Sequence, residues 1–229
     1  LNDIIRTPDT IFGMEAKVQI DSRSLQYLAG DGSDRFQVGL FGSFYQTTDQ
    51  GGGEVYISAY LEVSDPSAST AQLVYSVDIR QGDTWTPFSG TDTSLQNTTV
   101  PINNEVTIRI NRLGLSDHGI SIGIDPENDD SFQSVTFDGP TISSEITESE
   151  KAIELVIANG SFPPVGDKYA FATVDNVAFQ TTGNGPWDLY DNFTAPRIDA
   201  SKWIQQQDPP KNFTRHGIEN GKMFFTAQA

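Results

Sequence analysis

Apolar and polar residues alternate with a period of two along most of this chain. In IFGMEAKVQI, residues 11–20, Phe12, Met14, Ala16, Val18 and Ile20 fall on one face and Glu15, Lys17 and Gln19 on the other. Successive side chains of an extended strand point to opposite sides, so this run predicts a strand with one buried face. RFQVGLFGSFY repeats the pattern through Phe36, Val38 and Leu40. EVYISAYLEV sets Val55, Ile57, Ala59, Leu61 and Val63 on one face with Tyr56 and Tyr60 on the other, and QLVYSVDI adds Leu73, Tyr75, Val77 and Ile79. The turn-rich SDPSAST between these two predicts antiparallel neighbours. EVTIRINRL and HGISIGI, joined by GLSDHG, predict a hairpin. KAIELVIANG reads as a strand in preference to a short helix, and KYAFATVDNVAF as a long strand. The Gly- and Asn-rich QTTGNGPW that follows has the composition of a linker.

About ten strands, each with one face to bury, predict an all-β fold of two antiparallel sheets packed as a β-sandwich. No βαβ alternation and no internal repeat breaks that pattern. A chain of 229 residues with 20 Gly and 12 Pro has the length for one large β domain and the turn residues to connect its strands.

Charge removes whole classes of partner. Lys and Arg total 14 against 31 Asp and Glu, a formal charge of -17. A surface so acidic repels phosphate backbones and anionic lipids, so no nucleic-acid partner is expected. No apolar run approaches the roughly 20 residues that span a bilayer, so no membrane insertion is expected. Cysteine is absent, which excludes disulfides, thiolate metal sites and cysteine nucleophiles. Glycosylation sequons at Asn97, Asn159, Asn192 and Asn212 favour an extracellular or cell-surface setting.

Near the C-terminus stands YDNFTAPRIDASKW, followed by GIENGKMFFTA. Asp191, Phe193, Ser201, Lys202, Trp203, Glu219, Asn220, Gly221 and Lys222 carry a resemblance to the opening strands of concanavalin A-like jelly rolls. That fold is shared by laminin G-like modules, many lectins and family 16 glycoside hydrolases. The element that follows in such modules resembles FGMEAKVQI, found here at residues 12–20, and their closing strand resembles VDNVAF at residues 174–179. The order is rotated, with the opening strands placed last.

The resemblance implies a main jelly-roll body over residues 1–180, and over 181–229 a linker plus the strands that complete a jelly roll. Those strands belong to the same chain, to the next repeat of an array, or to a neighbouring subunit. In the last case, strand addition would bury Met223, Phe224 and Phe225 on a partner, and a repeated head-to-tail contact of this kind gives a filament.

Catalysis is not expected. Retaining glycosidases of the resembled fold need two carboxylates about 5 Å apart, from a Glu-x-Asp-x-x-Glu run that is absent here. Glu54 and Glu62 stand roughly 26 Å apart along one strand at about 3.3 Å per residue. The two histidines, His118 and His216, belong to no metal or nucleophile motif, and the nearby Ser116 and His118 read as turn residues. The resemblance implies a structural calcium held by Asp175 and Asp191 with the Gly221 carbonyl; the alternative for each carboxylate is a satisfied turn. Asp31 and Asp34 in AGDGSD form a weaker calcium candidate, and Asp125, Glu127, Asp129 and Asp130 gather in the turn-rich DPENDD. For glycans, stacking faces are needed beside polar groups, and Tyr56, Tyr60 and Trp85 are the candidates, with Trp203 assigned to the core. The expectation is a non-catalytic structural or adhesive module with copies of itself as partners. A calcium-assisted, lectin-like carbohydrate-binding module is the alternative, and a glycoside hydrolase or lyase comes third.

Overall fold

The computed structural model describes residues 2–5, 11–113, 118–146, 151–159, 169–183, 185–206 and 215–228. Their strands form two antiparallel sheets stacked face to face. The first sheet takes β1 (Asn2–Ile5), β3 (Asp34–Thr47), β4 (Gly53–Val63), β5 (Thr70–Gln81), β6 (Thr84–Pro87), β7 (Thr99–Pro101), β11 (Ile142–Glu145), β12 (Lys151–Asn159) and β15 (Trp203–Gln206). Its order is β15-β1-β12-β3-β4-β5-β6, with β11 beside β3 and β7 beside β5. The second takes β2 (Gly13–Ile20), β8 (Val106–Arg112), β9 (Gly119–Asp125), β10 (Gln133–Asp138), β13 (Tyr169–Gln180), β14 (Asp188–Asp191), β16 (Arg215–Glu219) and β17 (Lys222–Gln228). Its order is β10-β9-β8-β2-β13-β17-β16, with β14 beside β13. Helical structure among the described residues is confined to 3-10 turns at Ser22–Tyr27 and Asp49–Gly51, and no helix there is long and apolar enough to cross a membrane.

The fold is therefore the all-β, two-sheet antiparallel sandwich that the alternation predicts. Val38, Leu40, Ile57, Leu61, Leu73 and Val77 of the first sheet and Met14, Ala16, Val18, Ile108, Ile110 and Ile122 of the second are buried in one core. The β4–β5 and β8–β9 pairs form as predicted. The described residues alone form seventeen strands where ten or so are expected, because pieces of three to five residues hold too few periods to stand out from turns.

Two cations follow the apolar alternation inward. Arg112 continues the Val106, Ile108, Ile110 face and is fully buried. Its Nη1 and Nη2 donate to Glu145 at 2.9 and 2.8 Å, and its guanidinium lies 4.0 Å from the Phe12 ring. Lys151 precedes Ile153 and Leu155 on the inner face of β12; its Nζ donates to the Ser43 carbonyl and lies 4.4 Å from the Phe44 ring. Burial, reinforced by the Arg112 charge, pushes the Lys151 ammonium down to about 7.

The last strands join both layers of the same chain. β15 pairs with β1 in the first sheet, while β17 lies between β13 and β16 in the second. Met223 and Phe225 point into the core, and Phe224, one residue out of phase, lies on the opposite face. Around QTTGNGPW, the Gly185 N–H donates to the Thr182 carbonyl at 3.0 Å, Gln180 Nε2 donates to the Gly185 carbonyl at 2.5 Å, and β14 beyond it runs antiparallel along β13.

Candidate binding face

The outer face of the first sheet is built by register. Opposite the apolar stripe, β4 presents Glu54, Tyr56, Ser58, Tyr60 and Glu62, and β5 presents Gln72, Ser76, Asp78 and Arg80. From β3 come Gln37, Gly39 and Phe41, paired with β12 and β4 on either side.

Three rings gather at one end. The Tyr56 and Trp85 centroids stand 4.7 Å apart, edge to face, and Phe41 stacks on Tyr56 at 5.1 Å. Tyr56 is buried by these neighbours, whereas Trp85 remains 44% exposed. The Arg80 guanidinium lies 5.3 Å from the Trp85 ring; its Nη1 donates to Tyr56 Oη at 3.3 Å, and that hydroxyl donates to Glu54 at 3.0 Å. Burial raises the Tyr56 phenol, the Arg80 hydrogen bond opposes that rise, and the Glu54 charge adds to it.

Polar pairs extend the face. Ser58 and Ser76 hydroxyls share a 3.0 Å hydrogen bond, and the Ser76 hydroxyl also lies 2.5 Å from Asp78. Gln37 Nε2 donates to Glu62 at 2.7 Å. Tyr60 donates to Glu154 at 2.5 Å, and burial together with the Glu154 carboxylate lifts its phenol well above the ordinary range. Of the three glycan candidates, Tyr56 and Trp85 thus touch each other, while Tyr60 shares the face but engages β12. Sequence reasoning missed Phe41, Arg80 and Glu154. Phe41 and Arg80 carried a usable signal, since period two places both on the tyrosine face.

The carboxylates named as calcium candidates accept hydrogen bonds from protein donors. Asp191 Oδ1 accepts the Phe193 N–H at 2.9 Å and Oδ2 accepts Trp203 Nε1–H at 2.8 Å, which also fixes Trp203 in the core. Asp175 accepts the Asn176 N–H at 2.8 Å; burial raises its carboxyl, with the Lys222 and Lys17 charges among the opposing influences. Gly221 occupies the β16–β17 turn with φ of 72°. Asp31 and Asp34 accept the Ser33 and Ala29 N–H groups, and Asp125 accepts those of Glu127 and Asp130. Among the described residues no three His, Asp or Glu side chains converge as metal ligands. His118 Nδ1 accepts the Ile142 N–H at 3.2 Å; Ser116, Asn212 and the His216 side chain lie outside the described residues.

No known protein-family pattern matches the chain, and no curated protein sequence matches it. Solved structures do resemble it in shape. The crystal structure of scytalido-glutamic peptidase with a transition state analog inhibitor superposes with a TM-score of 0.51 at 9% identity, over 98% of this chain and 95% of that one. SCP-B, a member of the eqolisin family of peptidases, gives 0.48 at 9% identity, over 98% and 96%. The CBM2 module of the Lactobacillus casei BL23 phage J-1 evolved Dit gives 0.33 at 11% identity, over 96% and 63%. At such identities the first match establishes the fold alone, a concanavalin-like sandwich.

Proposed function

We propose that this protein is a non-catalytic, extracellular adhesive module that holds a saccharide on the outer face of its first sheet. The observation that carries this reading is the half-exposed indole of Trp85, braced edge-on by Tyr56 and bordered by Arg80, Glu54 and the Ser58–Ser76–Asp78 chain. An aromatic plane supplies a surface for the C–H face of a sugar, and hydroxyl and carboxylate groups beside it can bond the ring hydroxyls. Each of those carboxylates is already tied to a hydroxyl, an arrangement suited to holding rather than to proton transfer. The sequons and the acidic surface support the extracellular setting. Self-assembly by exchange of β14–β17 would reuse the β13 contacts made within one chain.

The test is a glycan array read with and without EDTA, followed by calorimetry on the best binder. Trp85→Ala should weaken binding about tenfold, which corresponds to about 1.4 kcal/mol, in a protein that still melts cooperatively. Silence across the array overturns the reading, and release of reducing ends or peptides from polysaccharide or protein substrates overturns its non-catalytic part.

A further inference from the structure

We infer that Asp78 sets which sugar the outer face of the first sheet takes: a unit with a free ammonium, such as glucosamine, in preference to its N-acetylated form or to a uronic acid. The inference rests on the saccharide reading above. Its basis is the direction of the hydrogen bonds on that face. A hydroxyl has one proton to give. Tyr56 gives its proton to Glu54, and Tyr60 to Glu154. Ser76 gives its proton to Asp78, so in the bond between Ser58 and Ser76 the donor is Ser58. These four protons all run toward carboxylates, and the groups left open to a ligand are acceptors.

Register puts Asp78 within reach of a ring stacked on Trp85. Glu54, Arg80 and Trp85 form one row across β4, β5 and β6, and Tyr56, Asp78 and Pro87 form the next. Two residues along a strand separate such rows by about 7 Å, a step that a substituent on the stacked ring can span. Asp78 is half-buried, and its Oδ2 accepts the Ser76 hydroxyl at 2.5 Å. Its Oδ1 has neither a hydrogen-bond donor nor an ion-pair partner among the described residues.

Charge points the same way. Arg80 is the one cation of these two rows, and it is already engaged: Nε donates to the Gly82 carbonyl at 3.0 Å and Nη1 to Tyr56 Oη at 3.3 Å. Glu54 and Asp78 outnumber it, and Asp83 in the following turn is near enough for its charge to act on Arg80. A uronic acid would add a fourth carboxylate to these three. An acetamido group offers one N–H and a carbonyl that needs a donor of its own. An ammonium brings three donors and a positive charge, and charge-assisted hydrogen bonds are the stronger kind.

The test is calorimetry with linear tetramers of glucosamine, N-acetylglucosamine and galacturonic acid at about pH 6, where carboxylates are ionised and amines protonated. The glucosamine tetramer should bind about fivefold tighter than the acetylated one at low salt, the scale of one good surface ion pair. The galacturonic acid tetramer should bind most weakly. Near 1 M salt, where screening acts within about 3 Å, the two amino-sugar affinities should converge. Asp78→Asn should abolish the preference at low salt, with Asp78→Ser in its place if that variant does not fold. Glu127→Gln removes an exposed carboxylate from the turn between β9 and β10 and should leave the preference intact. Acetylated tetramer bound as tightly as the amine overturns this inference alone, as does a preference that survives Asp78→Asn or is lost equally in Glu127→Gln. Failure of all three tetramers to bind, together with silence across the array, removes the saccharide reading and this inference with it.

Discussion

Tyr60 and Glu154 meet across Gly39. Gly39 of β3 is the pairing partner of Tyr60 on one side and of Glu154 on the other, and the phenol reaches over it to the carboxylate. A Cβ at Gly39 would come within 2.1 Å of the Ala59 carbonyl oxygen and 2.7 Å of the Tyr60 Cα. Backbone atoms cannot yield as a flexible side chain can, so Gly39→Ala should cost more than about 3 kcal/mol. Urea unfolding measures it, and a variant within 1 kcal/mol of wild type, about a fivefold change in equilibrium constant, would refute the close approach.

Tyr60→Phe removes a donor from a carboxylate that is only 8% exposed. The expected loss is about 1–3 kcal/mol at neutral pH. Because the native phenol titrates above its unfolded value of about 10, its contribution is complete below pH 10 and disappears as pH rises through the native value. The melting temperature should fall above pH 10, and less steeply in Tyr60→Phe.

Lys151 has the opposite sign. Its native value of about 7 lies below the unfolded value of about 10.4, so between these the unfolded chain binds more protons and stability climbs with pH. Lys151→Met removes the buried charge and should flatten that climb, raising the melting temperature at pH 6 by roughly 2–8 °C. Equal slopes in calorimetric scans of the two proteins from pH 6 to 9 would contradict the assignment.

Asp191→Ala leaves the Phe193 N–H and the Trp203 indole N–H without their acceptor. A destabilisation of about 1–3 kcal/mol is expected. If those two donors are the whole of its role, the cost should be the same in EDTA as in millimolar calcium. A cost that appears only with calcium present would show that Asp191 is a metal ligand instead.

Removing residues 187–229 takes away β14–β17 and strips Phe193, Trp203, Met223 and Phe225 from the core. The shortened protein should show no cooperative melt, and Phe225→Ala alone should cost about 3–5 kcal/mol. A synthetic 187–229 peptide added to the shortened protein should restore the melt, as the β13 edge is left open to it. A truncated protein that melts as the whole one does would show these strands to be dispensable.

The long strands were legible because each holds several periods of two, as in Val55 through Val63. The same rule placed Arg112 and Lys151 on apolar faces, yet their charge concealed it, since inward cations need neighbours that no local pattern displays: Glu145 for one, the Ser43 carbonyl for the other. Tyr56 and Trp85 could be named from residue type and phase. Glu154 could not, because its link to Tyr60 depends on the register of β12 on β3, strands separated by about a hundred residues of chain. QTTGNGPW is ambiguous for a related reason: Gly and Asn mark a turn and a linker alike, and the pairing of β14 with β13 that follows it is not visible in local composition.

The pairing of β1 with β15 sets a condition on biosynthesis. Asp3 pairs with Ile153 on one side and with Gln205 on the other, so neither edge of β1 is paired until strands lying some 150 and 200 residues downstream have been made. Closing this side of the first sheet is thereby a late, long-range event, and a chain folding without β12 and β15 leaves sheet edges open to other strands.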